Sequence, residues 1–216
     1  MDMVFIDIYQ KLLISAFALI LATIILIVLW KLITKYQIIH NRPNSYFRTI
    51  NKVALYKDLY LINLLKLRID SNQYITYDHV LFGNKYIYVI SDAFFNGELR
   101  GNLHDAKFTL IERKNRKGRE IDNPIHNNDY RLKKLALATG IDQEMLINVV
   151  VVNDECDLTH LKNDDSTFII NRCDFYRLID AIESREVRIL NAEELAEIVK
   201  DIDRLNQRKK SKTQWV

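Results

Sequence analysis

Proline and glycine are scarce, two and five in a chain of 216 residues. Disordered and low-complexity segments are enriched in both, so that class is excluded. Cysteine is almost absent as well. Cys156 and Cys173 are too few for a disulfide framework and read as two reduced thiols. Cys156 and His160 stand four apart, but a zinc site wants four ligands and no further pair carries the spacing, so no metal is assigned there. G-x-S-x-G, P-loop and G-x-G-x-x-G patterns are missing, and the five histidines show no nucleophile–base arrangement. The net charge of +3 does not make the whole chain a strong polyanion binder, and no internal repeat is found.

What the sequence does contain is one long apolar run. Residues 12–30 read LLISAFALILATIILIVLW, without a single charge. As a helix they extend roughly 28 Å, close to the thickness of a bilayer's hydrocarbon core. Only Ser15 and Thr23 are polar, where a soluble helix of that length would show a polar stripe. Trp30, Lys31 and Lys35 suit a membrane–water interface. The first eleven residues include Asp2 and Asp7, and no small-residue cleavage site follows the run, so it reads as an uncleaved anchor. After it come Lys31, Lys35, Arg42, Arg48 and Lys52, with no acid before Asp58, which predicts a cytoplasmic C-terminal side. The expected organisation is a short extracytoplasmic N-terminus (1–11), a transmembrane helix (12–33), a linker (34–44), one domain (45–206) and a basic tail (207–216). The expected location is the cell membrane, spanned once. The anchor has no glycine, so the usual helix-pairing signature is missing.

Within the domain, Asn44 or Ser45 is expected to cap a helix running to about Tyr56. LYLINLLKL after it fits helix or strand. Asp70-Ser71-Asn72 signals a turn. Tyr74–Phe82 and Lys85–Asp92 flank Gly83-Asn84 as a hairpin. Asn96-Gly97 turns again, and Lys107–Glu112 is a third strand. Asn123-Pro124 opens a helix that ends at Thr139-Gly140. Met145–Val152 is apolar on both parities, as a doubly covered central strand requires. Ser166–Ile170 is a short strand and Cys173–Ser184 a helix with Phe175, Leu178, Ile179 and Ile182 on one face. Asn191 caps a last helix striped by Leu195, Ile198, Ile202 and Leu205. The fold class is α/β, a mixed sheet flanked by helices.

The stretch 76–101, TYDHVLFGNKYIYVISDAFFNGELRG, resembles the nuclease-related domain (NERD) family, allied to the PD-(D/E)XK nucleases. The family pattern is roughly E-I-D-H, a short hairpin, G-I-F-V-I-E-V-K, then two glycines. Here Asp78-His79 stands at D-H, Tyr86–Ile90 at the strand, Gly97 and Gly101 at the glycines, and Asn123-Pro124 at the N-P of the following helix. The resemblance covers roughly 45–206 and implies a restriction-endonuclease-like fold, with acids and a lysine converging on Mg²⁺ and phosphate. This sequence departs from it at the chemistry. Thr76 stands at the first glutamate, Ser91 at the second and Ala93 at the lysine. Asp78 alone is kept as a remnant catalytic residue. Asp92 is one residue out of phase, so a regular strand turns it to the opposite face from position 91.

The expectation is a membrane-anchored, catalytically inactive NERD-like module that binds nucleic acid or protein, with no cofactor. One alternative is a tethered Mg²⁺-dependent nuclease using Asp78 and Asp92; another is a membrane adaptor without a nucleic-acid role. The basic turn carrying Arg113, Lys114, Arg116, Lys117 and Arg119, with Arg208, Lys209, Lys210 and Lys212 in the tail, is the candidate contact for nucleic acid or anionic lipid. The bland reading of both is solvated charge. The sequence names no protein partner.

Overall fold

The computed structural model describes residues 16–17, 19–32, 42–69, 73–113 and 117–207. The chain divides into two compact units, Met1–Ser45 and Tyr46–Val216.

In the first unit, residues 16–17 and 19–32 are helical and every one of them is exposed. Thr23 Oγ1 donates to Leu19 O at 2.8 Å, so this hydroxyl is satisfied by its own helix. Among the described residues no helix is both long and apolar enough to cross a membrane. Residues 12–15, 18 and 33 of the expected span lie outside the described residues, as does most of the expected linker.

Helix α1 (Arg42–Tyr56) begins two residues before the expected cap. Its second residue is Pro43, which a first helical turn accepts because the missing N–H has no intrahelical partner there. From Tyr46 on, α1 belongs to the second unit. Tyr46, Ile50, Val53 and Ala54 recur at helical spacing and are all buried. The ambiguous segment after α1 is a strand, β1 (Tyr60–Arg68). The expected strands and helices follow as β2 (Tyr74–Phe82), β3 (Ile87–Ala93), β5 (Lys107–Glu112), α2 (Pro124–Thr139), β7 (Leu146–Val152), β9 (Thr167–Asn171), α3 (Phe175–Glu183) and α4 (Ala192–Leu205). Three short strands were not anticipated: β4 (Gly97–Arg100), β6 (Gly118–Asp122) and β8 (Asp157–His160).

These strands make two mixed sheets, not the single one expected. The first runs β1-β2-β3-β7-β9, antiparallel through β3 and parallel beyond it; the second runs β6-β5-β4-β8. One face of the first sheet buries Leu81, Tyr88, Ile90 and Val149 under α1 and α3. The other buries Val80, Phe82, Ile87 and Val89 under α2 and α4. A third cluster, with Leu99, Phe108, Leu110 and Val152, joins the second sheet to the first. All seven residues of β7 are buried, as its unbroken apolar run requires.

Buried asparagines pin the layers. Asn123 caps α2 by accepting from Ile125 N at 2.9 Å while its Nδ2 donates to Leu103 O and Asp105 O, both at 2.8 Å. Asn128 Nδ2 donates to Val89 O and to Asn148 Oδ1, each at 2.8 Å, tying α2 to β3 and β7. At the other end of α2, Gly140 takes φ 72°, the left-handed stop its position requires.

Candidate functional site

The sequence-predicted carboxylates sit where β2 and β3 part company. Val80 and Phe82 enter the cluster under α2 and α4, and so does Tyr77. A regular strand would put residues 77 and 80 on opposite faces. β2 therefore changes phase between them, at Asp78-His79. β1 does the same: Ile62, Leu65 and Leu67 all enter that cluster. The residue between its paired positions Asn63↔His79 and Leu65↔Tyr77 is Leu64. Leu64 has φ 54°, a left-handed conformation that costs a leucine roughly 1–2 kcal/mol. The strain belongs to the kink that sets Asp78.

On β3, Asp92 alternates with Ser91, as expected, and falls on the side of Tyr88 and Ile90, facing α1. The phase change brings Asp78 to it. Asp78 Oδ2 accepts from the Asp92 backbone N–H at 3.3 Å, where a ladder partner from β2 would otherwise stand. The same oxygen lies 3.4 Å from Arg131 Nη1, which reaches in from α2.

Asp92 itself leans on His79. Its Oδ2 is 3.0 Å from His79 Nε2, and His79 Nδ1 is 2.5 Å from Asn63 Oδ1. Asn63 Nδ2 in turn donates to Asn51 Oδ1 on α1 at 3.2 Å. A polar chain thus crosses from α1 through β1 and β2 to β3. His79 is almost fully buried, and the Phe47 ring packs 6.2 Å from it. Burial pushes the Asp92 carboxyl above the ordinary carboxylate range; the His79 contact opposes this and the Asp78 charge adds to it. Tyr46 closes the α1 side by donating its hydroxyl to Ala93 O at 2.9 Å. Its phenol is pushed well above its usual value, first by burial and then by the Asp92 charge.

The donor set departs from the family's Mg²⁺ pattern. Magnesium wants carboxylate oxygens in near-octahedral order, with room for its waters. Ser91 is buried with no carboxylate to offer, Ala93 has no amine, and Arg131 already places a cation on Asp78. Among the described residues no three His, Cys, Asp or Glu side chains are grouped to hold a metal ion.

The basic turn lies outside this cluster. Arg113 Nη2 donates to Glu155 O at 2.6 Å, and Arg119 Nε pairs with Glu112 Oε1 at 3.0 Å. Lys117 is exposed; Lys114 and Arg116 lie outside the described residues, as do the basic residues of the tail. Glu155 follows β7, so the Arg113 contact brings the base of this turn to the end of the sheet where Asp92 stands.

Sequence reasoning gave no role to His79, Asn63 or Arg131. The D-H dipeptide marked His79. Nothing near Asp78 in the sequence points to Arg131, which lies 53 residues further on.

The class is a mixed α/β domain, two sheets flanked by helices, with Asp78 and Asp92 brought together on the antiparallel strands β2 and β3. Residues 32–153 match the profile of NERD, the nuclease-related domain, and the chain belongs to that family. The matched stretch ends just after β7, so β8, β9, α3 and α4 lie beyond it. No curated protein and no solved structure matches the chain.

Proposed function

We propose that this chain is a membrane-anchored NERD protein whose domain binds nucleic acid without cleaving it. One observation carries the reading: Asp78 is already held by Arg131 and by the Asp92 N–H, while Ser91 and Ala93 occupy the positions of the family's glutamate and lysine. Arg131 is about one-third exposed in its side chain, and Arg48 and Lys52 are exposed on α1. These cations, with the basic turn, supply the sequence-independent phosphate term that binding without cleavage needs. The anchor rests on the charge-free run 12–30 and on the exposed apolar helix with its self-satisfied Thr23. Fold alone does not carry function.

The competing reading, a Mg²⁺-dependent nuclease on Asp78 and Asp92, draws on one observation. Asp92 Oδ1 is buried and accepts no hydrogen bond. An orphan carboxylate oxygen is where a cation would gain most.

The test uses the full chain in detergent with labelled single- and double-stranded DNA at low salt, with and without Mg²⁺ or Mn²⁺. Binding that weakens as salt rises, with no cleavage in any condition and full binding by Asp78→Asn, is the expected result. Metal-dependent cleavage lost in Asp78→Asn would establish the nuclease instead. No binding at low salt would leave the membrane adaptor.

A further inference from the structure

The outer face of α1 takes no part in the core, and its charge is of one sign. Tyr46, Ile50, Val53 and Ala54 turn one side of the helix into the domain. Arg48, Lys52, Leu55 and Tyr56 recur at i, i+4, i+7 and i+8, so they share the opposite side, and all four are exposed. No Asp or Glu stands on α1. Neither Arg48 nor Lys52 has an ion-pair partner among the described residues. The apolar members are large and open to water: Leu55 is 83% exposed and Tyr56 76%. Tyr176 of α3 extends the patch, its ring 5.7 Å from that of Tyr56. Only the border is mixed in sign, where Lys57 pairs with Asp180 at 2.6 Å and Asp58 is exposed.

Cations interleaved with exposed Leu and Tyr fit the headgroup region of a bilayer. Lysine and arginine meet lipid phosphate there, and amphipathic side chains settle at the level of the headgroups. Nucleic-acid phosphate would answer the cations but not Leu55. Position in the chain points the same way. Residues 31–41 join the charge-free run to α1, eleven residues with a reach of at most about 40 Å. A contact too weak to hold a free domain suffices for one tethered that closely.

We infer that the outer face of α1 docks on the anionic leaflet beside the chain's own anchor. Docking there rests on the anchor reading above and adds a second contact that orients the domain. Leu55 and Tyr56 enter the headgroup region, and Arg48 and Lys52 hold lipid phosphate. α2 covers the other face of the first sheet and is turned away from the lipid. In the docked state nucleic-acid phosphate is met by Arg131 on α2 and by the basic turn.

The test reconstitutes the full chain into vesicles of phosphatidylcholine, alone or with one-third phosphatidylserine. In a Cys173→Ser background, Leu55→Cys carries a nitrobenzoxadiazole dye, and lipid spin-labelled at the headgroup quenches it. Leu137→Cys on α2, also exposed, is the comparison. Quenching of the Leu55 label in the phosphatidylserine vesicles, and not of the Leu137 label, is expected. Arg48→Gln with Lys52→Gln should lower the docked-to-undocked ratio about thirtyfold, the contribution of two juxtamembrane charges. Both positions are exposed, and a melting curve checks that the variant folds. Equal quenching of the two labels, equal quenching without phosphatidylserine, or a folded double variant quenched like the parent would each overturn the inference. So would a Leu55 label that responds to single-stranded DNA in detergent and not to the vesicles. An alkaline carbonate wash separates this inference from the one beneath it. A chain stripped from the vesicles by the wash has no anchor, and the docking falls with it; a chain that stays, with its Leu55 label unquenched, keeps the anchor and loses only the docking.

Discussion

His79 Nε2 lies 3.0 Å from Asp92 Oδ2 while the other ring nitrogen meets Asn63 Oδ1 at 2.5 Å, so the His79–Asp92 contact holds one proton. The direction follows from Asn63. Its Nδ2 donates to Asn51, leaving its Oδ1 as the acceptor for His79 Nδ1–H. Nε2 must then either donate to an ionised Asp92 or accept from a protonated one. Burial lifts the Asp92 pKa and outweighs the opposing His79 contact, so the folded carboxyl holds its proton to a higher pH than the unfolded one. The native state then keeps a proton that the unfolded state has released. Stability from this group is complete below the ordinary carboxylate range and is lost as pH rises through the raised folded value. In Asp92→Asn the amide can donate to Nε2 without a charge. Urea melts from about pH 4 to 7 should therefore show the variant gaining on the parent as pH rises. A variant that loses ground with rising pH would mean that Asp92 is ionised and paired.

His79 is the costlier member to remove. His79→Ala leaves Asn63 Oδ1 without its donor and Asp92 without its partner, inside a buried site. Each abandoned group costs about 1–3 kcal/mol, so a loss of roughly 2–5 kcal/mol is expected in denaturant melts. A loss below about 1 kcal/mol would show that the polar chain from α1 to β3 contributes little.

The kink beside this pair has its own signature. Leu64 is exposed and sits at φ 54°. Asparagine tolerates that conformation and a β-branched side chain does not. Leu64→Asn should match or exceed the parent in stability, while Leu64→Ile should lose about 1–2 kcal/mol. The opposite order would place the strain elsewhere.

How much of this was legible in the sequence depended on whether the cause was local. The limits of α2 were readable because Asn123-Pro124 and Gly140 are chemical signals for a start and a stop. β7 was readable because it is apolar on both faces. β6 and β8 are short and none of their residues is buried, so alternation had nothing to mark and the second sheet went unseen. At the site, Asp78 and the phase of Asp92 were legible from the family pattern and from strand alternation. The phase change at Leu64 was not, because leucine is no signal for a left-handed residue. Nor was Arg131, whose contact with Asp78 exists only once α2 has packed on the sheet.

The cap of α2 gives a further prediction. Asn123→Ala removes the cap on Ile125 N and the donors to Leu103 O and Asp105 O. The cap contributes about 1 kcal/mol and the buried carbonyls add to that, so a loss of roughly 2–4 kcal/mol is expected. Asn123→Asp keeps the acceptor and loses both donors, placing an acid against two carbonyl oxygens. It should be no better than alanine, despite being a good cap in general. Chemical melts of the two variants check the order; an aspartate variant close to the parent would show that the carbonyl contacts matter little.

The orientation of the proposed anchor can be read from the two cysteines. Cys173 is exposed, whereas Cys156 is buried and its thiol is pushed up to about 11 by that burial. The thiolate is the reactive form, so Cys156 is protected twice over in the folded domain. Cys173 is also raised, though it is reachable. An impermeant maleimide applied to intact cells should label neither residue if the domain is cytoplasmic. After the membrane is opened, Cys173 should label first, and Cys156 should follow only on denaturation, which also controls for reactivity. Labelling of Cys173 on intact cells would put the domain outside and overturn the inference from Lys31, Lys35, Arg42, Arg48 and Lys52. Cys173→Ser, in which that signal must vanish, ties the outcome to a single residue.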